Sequence, residues 1–236
     1  MRRPDQITVD RALLLYVLDL VEPHGLLSDV KLQQLCFLCE LQMFGKGFRG
    51  FHFEFFRFAY GAFSKDLDND LTSLRRKERV ENFTLSGQTR EEVLPLLHEG
   101  IETAEPNQKM AEILQAVVAT YGPQDGSAIM ASVESVELST PAKPEFKIPI
   151  RDIVFHTTLL VPHRIEVQAE FTLSADEARP RPRHATGCLA GVRGSQTYHL
   201  SSPGGDARPP AGVRRRPQLR WSHRFRPAHH PVERSH

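Results

Sequence analysis

The sequence predicts a mainly α, α+β domain: a helical bundle with one aromatic strand and a small β segment, followed by a disordered Arg/Pro-rich C-terminal tail. Three observations carry this. Apolar residues recur at three- and four-residue spacing in several stretches before residue 140, which marks helices with one buried face. Phe51, Phe53 and Phe55 alternate with His52, Glu54 and Phe56, which marks a strand. From Ala178 onward neither period persists, and Arg, Pro, His and Gly dominate. The expected divisions are a helical domain over 1–140, a β-rich segment over 141–176 and the tail over 177–236.

Asp10 is placed to cap a first helix running to about Val21. Leu13, Leu14, Val17, Leu18 and Val21 form its apolar face, and Pro23-His24-Gly25 ends it. Ser28 or Asp29 caps a second helix to about Met43, with Leu32, Leu35, Cys36, Cys39 and Met43 on one stripe and Gly45-Lys46-Gly47 as the stop. The central stretch from Phe51 to Leu74, FHFEFFRFAYGAFSKDLDNDLTSL, reads as strand, turn and helix. Gly61 suits the turn because positive φ costs glycine little. Ser64 is an N-cap, and Asp66 and Asp68 complement the positive end of the helix. Phe63, Leu67, Leu71 and Leu74 make the apolar face, and Arg75, Arg76 and Lys77 suit the negative end.

Asn82 to Leu85 reads as a short strand turned by Gly87. Thr89 then caps a helix with Val93, Leu96 and Leu97 inward and Pro95 tolerated near its start. A helix from Asn107 to Tyr121 shows Met110, Ile113, Leu114 and Val117 on one face and ends at Gly122-Pro123. A shorter helix spans about Asp125 to Val136. Pro141 to Pro149 reads as a linker. Residues 146–173 are β-branched and alternate most clearly at Ile165, Val167, Ala169 and Phe171. They read as two or three strands, either a small sheet added to the helical body or part of an incomplete domain.

The formal net charge of +1 hides a segregation. Residues 1–178 hold 18 Lys+Arg against 27 Asp+Glu, whereas residues 179–236 hold 12 Arg, no Lys and only Asp206 and Glu233. An acidic body and a basic tail are different objects. The tail has too little apolar surface to offset chain entropy. Its Arg/Pro/His/Gly/Ala composition without Lys is what an out-of-frame reading of GC-rich DNA gives. The expectation is a frameshift near Ala175 to Arg179, which peptides confirmed beyond Arg179 in the native product would overturn. The competing reading is nucleic-acid contact through arginine, with Tyr198, Trp221 and Phe225 to stack.

Cys36, Cys39 and Cys188 do not make a disulfide framework in 236 residues, which fits a reducing cytoplasm. The first apolar run is flanked by Asp10 and Asp19 and lacks a small-residue cleavage site, which argues against a signal peptide. No run approaches the ~20 apolar residues of a membrane span.

Candidate chemistry is sparse. Cys36-Phe37-Leu38-Cys39 has C-x-x-C spacing, but it sits mid-helix on the apolar stripe with no second ligand pair, so two core thiols are expected. Asp66, Asp68 and Asp70 resemble the opening of a calcium loop. The Gly and Glu such a loop needs at its sixth and twelfth positions are Leu71 and Lys77, so an acidic, solvated first turn is expected instead. His24, His52, His98, His156 and His163 are scattered, without zinc-helix spacing; His156 and His163 flank TTLLVP on an expected hairpin. No nucleophile elbow, phosphate loop or dinucleotide fingerprint occurs. The expectation is a non-enzymatic chain with no catalytic residue, no metal and no cofactor.

Lys31, Leu32, Gln33 and Leu35, followed by Tyr60, Gly61, Phe63, Ser64 and Leu67, form a pattern that resembles the YwgA-type and Panacea (SocA-like) group of small bacterial proteins. The pattern is Lys-Leu-Gln-x-Leu on one helix, then a strand, then Tyr-Gly-x-Phe-Ser-x-x-Leu opening another helix, and the likeness runs from about Arg11 to Tyr121. Members more often have Pro where this chain has Ala62. The resemblance implies an antitoxin that neutralises a protein toxin, one kind by delivering it to a protease. From the residues themselves, Phe58, Tyr60 and Phe63 cluster at a turn, and aromatics and Arg carry interface energy disproportionately. The expected partner-binding set is Arg57, Phe58, Tyr60, Gly61, Phe63, Ser64 and Leu67, with Arg57, Tyr60 and Phe63 as the direct contacts. The alternative is a winged-helix-like nucleic-acid-binding regulator, which the acidic body disfavours.

Overall fold

A computed structural model describes residues 1–25, 28–140 and 143–173; the basic tail and Cys188 lie outside the described residues. Helix α1 (Pro4–Val21) is followed by α2 (Asp29–Gly45), then strands β1 (Phe48–Arg49), β2 (Phe55–Phe58) and β3 (Gly61–Phe63). Helix α3 (Lys65–Arg76) leads into the small hairpin β4 (Val80–Glu81) and β5 (Thr84–Leu85). Helices α4 (Gly87–Glu92), α5 (Leu94–Glu102), α6 (Glu105–Tyr121) and α7 (Gly126–Glu134) come next. The last strands are β6 (Glu137–Thr140), β7 (Lys143–Pro149), β8 (Thr158–Leu160) and β9 (Ala169–Glu170). The fold is α+β and mainly helical, as its periodicity predicts.

Helix α2 is the centre. Every residue from Lys31 to Leu41 is buried, because α6, α7, β1 and β3 all pack on it. A helix enclosed on all sides must satisfy its polar side chains internally, and α2 carries four of them: Lys31, Gln33, Gln34 and Glu40. Helix α1 packs its Leu13–Val21 face against α3, α5 and α6. Leu67, Leu71 and Leu74 of α3 are buried, each contributing about 1.5–3 kcal/mol of transfer free energy.

Strand β2 is the middle of an antiparallel three-stranded sheet ordered β3-β2-β8. Strand β9 pairs in parallel with β1. Residues 158–170 therefore complete sheets begun by residues 48–63. Ile165, Val167 and Ala169 are half-buried with exposed neighbours and Phe171 is buried, so their alternation is a true burial pattern, although only Ala169–Glu170 pair as strand.

Several expectations are corrected. The first helix starts at Pro4, with the Gln6 side chain accepting a hydrogen bond from the Arg3 N–H at 2.9 Å. Asp10 is thus a buried mid-helix residue and not a cap. The aromatic strand begins only at Phe55: Phe51 and Phe53 point into the core from unpaired backbone. Phe63 lies on β3 and not on α3, because Gly61, at φ 93°, closes a tight hairpin and leaves three residues to pair back. Asp70 is buried between two arginines, unlike exposed Asp68.

Ser86, not Thr89, caps the fourth helix, accepting from the Thr89 N–H at 3.3 Å, and the expected single helix divides at Val93 ahead of Pro95. Asn82 takes a left-handed φ of 55° in the β4–β5 turn. Of the stretch read as a linker, Lys143–Pro149 form a hairpin strand paired to Glu137–Thr140, and residues 141 and 142 lie outside the described residues. The TTLLVP stretch is one strand against β2 and not a hairpin.

Candidate functional site

Two glutamines join α2 to the hairpin. The Gln34 side chain accepts from the Ala62 N–H at 3.0 Å and donates to the Ala62 carbonyl at 3.0 Å. One turn position earlier, Gln33 accepts from the Ser64 N–H at 2.8 Å and donates to the Ser64 carbonyl at 3.0 Å. The free edge of β3 thus finds on α2 the donors and acceptors that a further strand would have given it. Gly61 passes directly over this junction. A Cβ there would run into Gln34 Oε1, and its φ of 93° is one that L side chains rarely adopt. Ser64, fully buried, also accepts from the Leu67 N–H at 3.4 Å and starts α3.

The junction floors a cavity of about 220 Å³. Its lining comes from the start of α2 (Asp29, Val30, Gln33, Gln34), from the hairpin (Phe58, Tyr60, Ala62, Phe63) and from the first turn of α3 (Asp68). Phe58 and Tyr60 are 38% and 58% exposed, whereas Phe37, Phe51, Phe53 and Phe55 are buried completely. The Phe58 ring stands 5.4 Å from Phe63 and 5.7 Å from His156.

The expected site residues divide into two groups. Phe58, Tyr60 and Phe63 come together on the cavity wall. Arg57, Gly61, Ser64 and Leu67 are buried beneath it. Arg57 is therefore a positioning residue and not a surface contact. Its guanidinium bonds the Phe58 carbonyl, pairs with Glu134 at 2.9 Å and lies 5.2 Å from the centre of the Phe155 ring. These bonds hold the turn from inside. Asp29, Val30, Gln33, Gln34, Ala62 and Asp68 line the cavity without belonging to the expected set. The signal for the glutamines was present: two adjacent amides, Gln33-Gln34, inside an otherwise apolar run need buried partners.

Lys31 ties the same helix to α6. Its ammonium donates to the Gly122 carbonyl at 2.7 Å, and burial pulls its pKa below the usual lysine value, with Asp125 partly opposing. Cys36 and Cys39 are buried and free, and burial pushes both thiols up, away from thiolate reactivity.

A second polar cluster lies deeper, between α1, α2 and α3. Asp10 accepts from Arg2 at 2.6 Å and from both the His52 backbone and its ring, at 2.8 and 2.9 Å. Asp70 accepts from Arg2 at 2.7 Å and Arg11 at 2.8 Å. Glu40 sits fully buried nearby with neither oxygen hydrogen-bonded. Burial first, and then the Asp10 charge, push its carboxyl well above the usual range; Arg49 and Arg2 oppose this only in part. Among the described residues no grouping of His, Cys, Asp and Glu is arranged to hold a metal ion, and no helix is long and apolar enough to cross a membrane.

Compared with known proteins, the chain matches no family model, and no curated protein or solved structure is significantly similar to it.

Proposed function

We propose that the chain is a non-enzymatic, cytoplasmic protein-binding domain, an antitoxin or an adaptor that delivers a toxin to a protease. It meets its protein partner at the cavity walled by Phe58, Tyr60 and Phe63. One observation carries the protein-binding part: exposed Phe58 and Tyr60 and half-buried Phe63 wall one concave site, although the core encloses Phe37, Phe51, Phe53 and Phe55 completely. Exposed apolar surface marks interaction sites, and Val154 and Phe155 are also exposed, Phe155 against the Arg57 guanidinium.

The antitoxin part rests on the resemblance. Gln33, Tyr60, Gly61, Phe63 and Ser64, which carry it, are also residues that build this cavity and its floor. Nucleic acid fits the same surface poorly, since the lining offers two carboxylates and no cation for a phosphate.

The test is affinity capture from native lysate with the full chain and with Tyr60→Ala. Recovery of one small protein whose toxicity the chain suppresses on co-expression, weakened about 5- to 150-fold by Tyr60→Ala, is the expected result. A folded chain that recovers no such protein overturns the proposal.

A further inference from the structure

We infer that the cavity receives an arginine side chain of the protein partner. This rests on the protein-binding reading above and names the chemistry that the partner must present.

The polar capacity of the lining decides it. Gln33 and Gln34 have spent their amides on Ala62 and Ser64, each as donor and as acceptor. Unspent capacity resides in the Tyr60 hydroxyl and in two carboxylates. Asp29 gives one oxygen to Arg75 at 3.0 Å, and exposed Asp68 has no partner among the described residues. Carboxylates at this pH only accept hydrogen bonds. A partner group that meets these carboxylates must therefore donate, and a positively charged one gains most. Arg75 already offsets Asp29, whereas the whole negative charge on Asp68 outweighs the roughly +0.5 charge of its own helix N-terminus.

The remaining walls are aromatic or aliphatic: Phe58, Tyr60, Phe63, Val30 and Ala62. Aromatic faces attract cations and also cover the aliphatic stem of a long basic side chain. Guanidinium suits such walls better than ammonium, because it is planar, stacks on rings and is more weakly hydrated. Size agrees. About 220 Å³ falls below the ~300–1,000 Å³ of small-molecule pockets and fits one inserted side chain.

The experiment titrates the full-length, isotope-labelled chain with N-acetyl-arginine methylamide and, separately, with the neutral isostere N-acetyl-citrulline methylamide, following backbone amide resonances. The expected result is saturable shifts confined to the amides around Asp29, Phe58, Tyr60, Phe63 and Asp68. Arginine should bind about tenfold tighter than citrulline, and Asp68→Asn should remove most of that preference. Equal response to both probes, or shifts away from these residues, overturns the inference even if capture from lysate succeeds. Selective arginine binding in a chain that captures no protein supports the arginine specificity of the cavity and overturns its assignment to a protein partner. If the pocket amides shift with salt before any probe is added, and changing the arginines of residues 179–236 abolishes that shift, the occupant is the chain's own tail and the assignment to a partner fails.

Discussion

The domain contains two buried polar junctions along α2, one near its start and one near its end, built from different chemistry. Toward the hairpin, Gln33 and Gln34 meet the β3 backbone through neutral amide bonds in which both the donor and the acceptor are satisfied. Toward α1 and α3, Arg2, Asp10, His52, Asp70 and Arg11 form an ionic knot with Glu40 left unbonded beside it. A satisfied amide pair holds geometry and is indifferent to pH. A buried ionic knot must offset the desolvation of every charge, and any imbalance shows as pH dependence. The neutral junction is the one placed beneath the cavity, where a fixed hairpin matters most.

Breaking the ionic knot should have the largest effect. Asp10→Ala leaves Arg2 without its 2.6 Å partner and His52 without an acceptor. A loss of about 3–5 kcal/mol is expected from urea unfolding. Breaking the neutral junction should cost less: Gln34→Ala orphans the Ala62 N–H and C=O, for about 2–4 kcal/mol. Gly61→Ala should disturb the same hairpin by clash and by φ, and arginine-probe binding should fall with it.

Glu40 sharpens the comparison in the other direction. Its folded-state pKa is raised by burial, so the folded chain holds a proton that the unfolded chain releases in the ordinary glutamate range. Its contribution to stability is complete below that range and is lost as pH rises toward the raised folded value. Glu40→Gln should therefore raise stability at neutral pH by about 1–3 kcal/mol and flatten the stability–pH curve above the ordinary glutamate range. An unchanged curve would mean that the carboxylate is accommodated after all. Smallest of all, Tyr60→Ala should leave stability within about 0.5 kcal/mol of wild type, since the ring is mostly exposed, while partner capture weakens. A large drop in thermal midpoint would make Tyr60 a structural residue and not a contact.

The buried faces of the helices are legible in the sequence. Period 3.6 places the buried faces of α1, α3 and α6, since Leu13, Leu67 and Met110 and their neighbours are buried as their spacing requires. Ser28 and Ser64 cap where a hydroxyl before an apolar run predicts. Phe58, Tyr60 and Phe63 were singled out because aromatics around a glycine turn are conspicuous locally, and they share one cavity wall. What the polar residues do depends on packing between distant segments. Asp10 looks like a cap and Asp70 looks solvated until Arg2 arrives, 8 residues from one and 68 from the other. Gln34 answers to Ala62, 28 residues on, and β2 finds its third strand at Thr158–Leu160. Periodicity reports which face of an element is buried, because that depends on neighbours three or four residues away. A buried polar side chain is defined by its partner, and folding brings that partner from elsewhere in the chain.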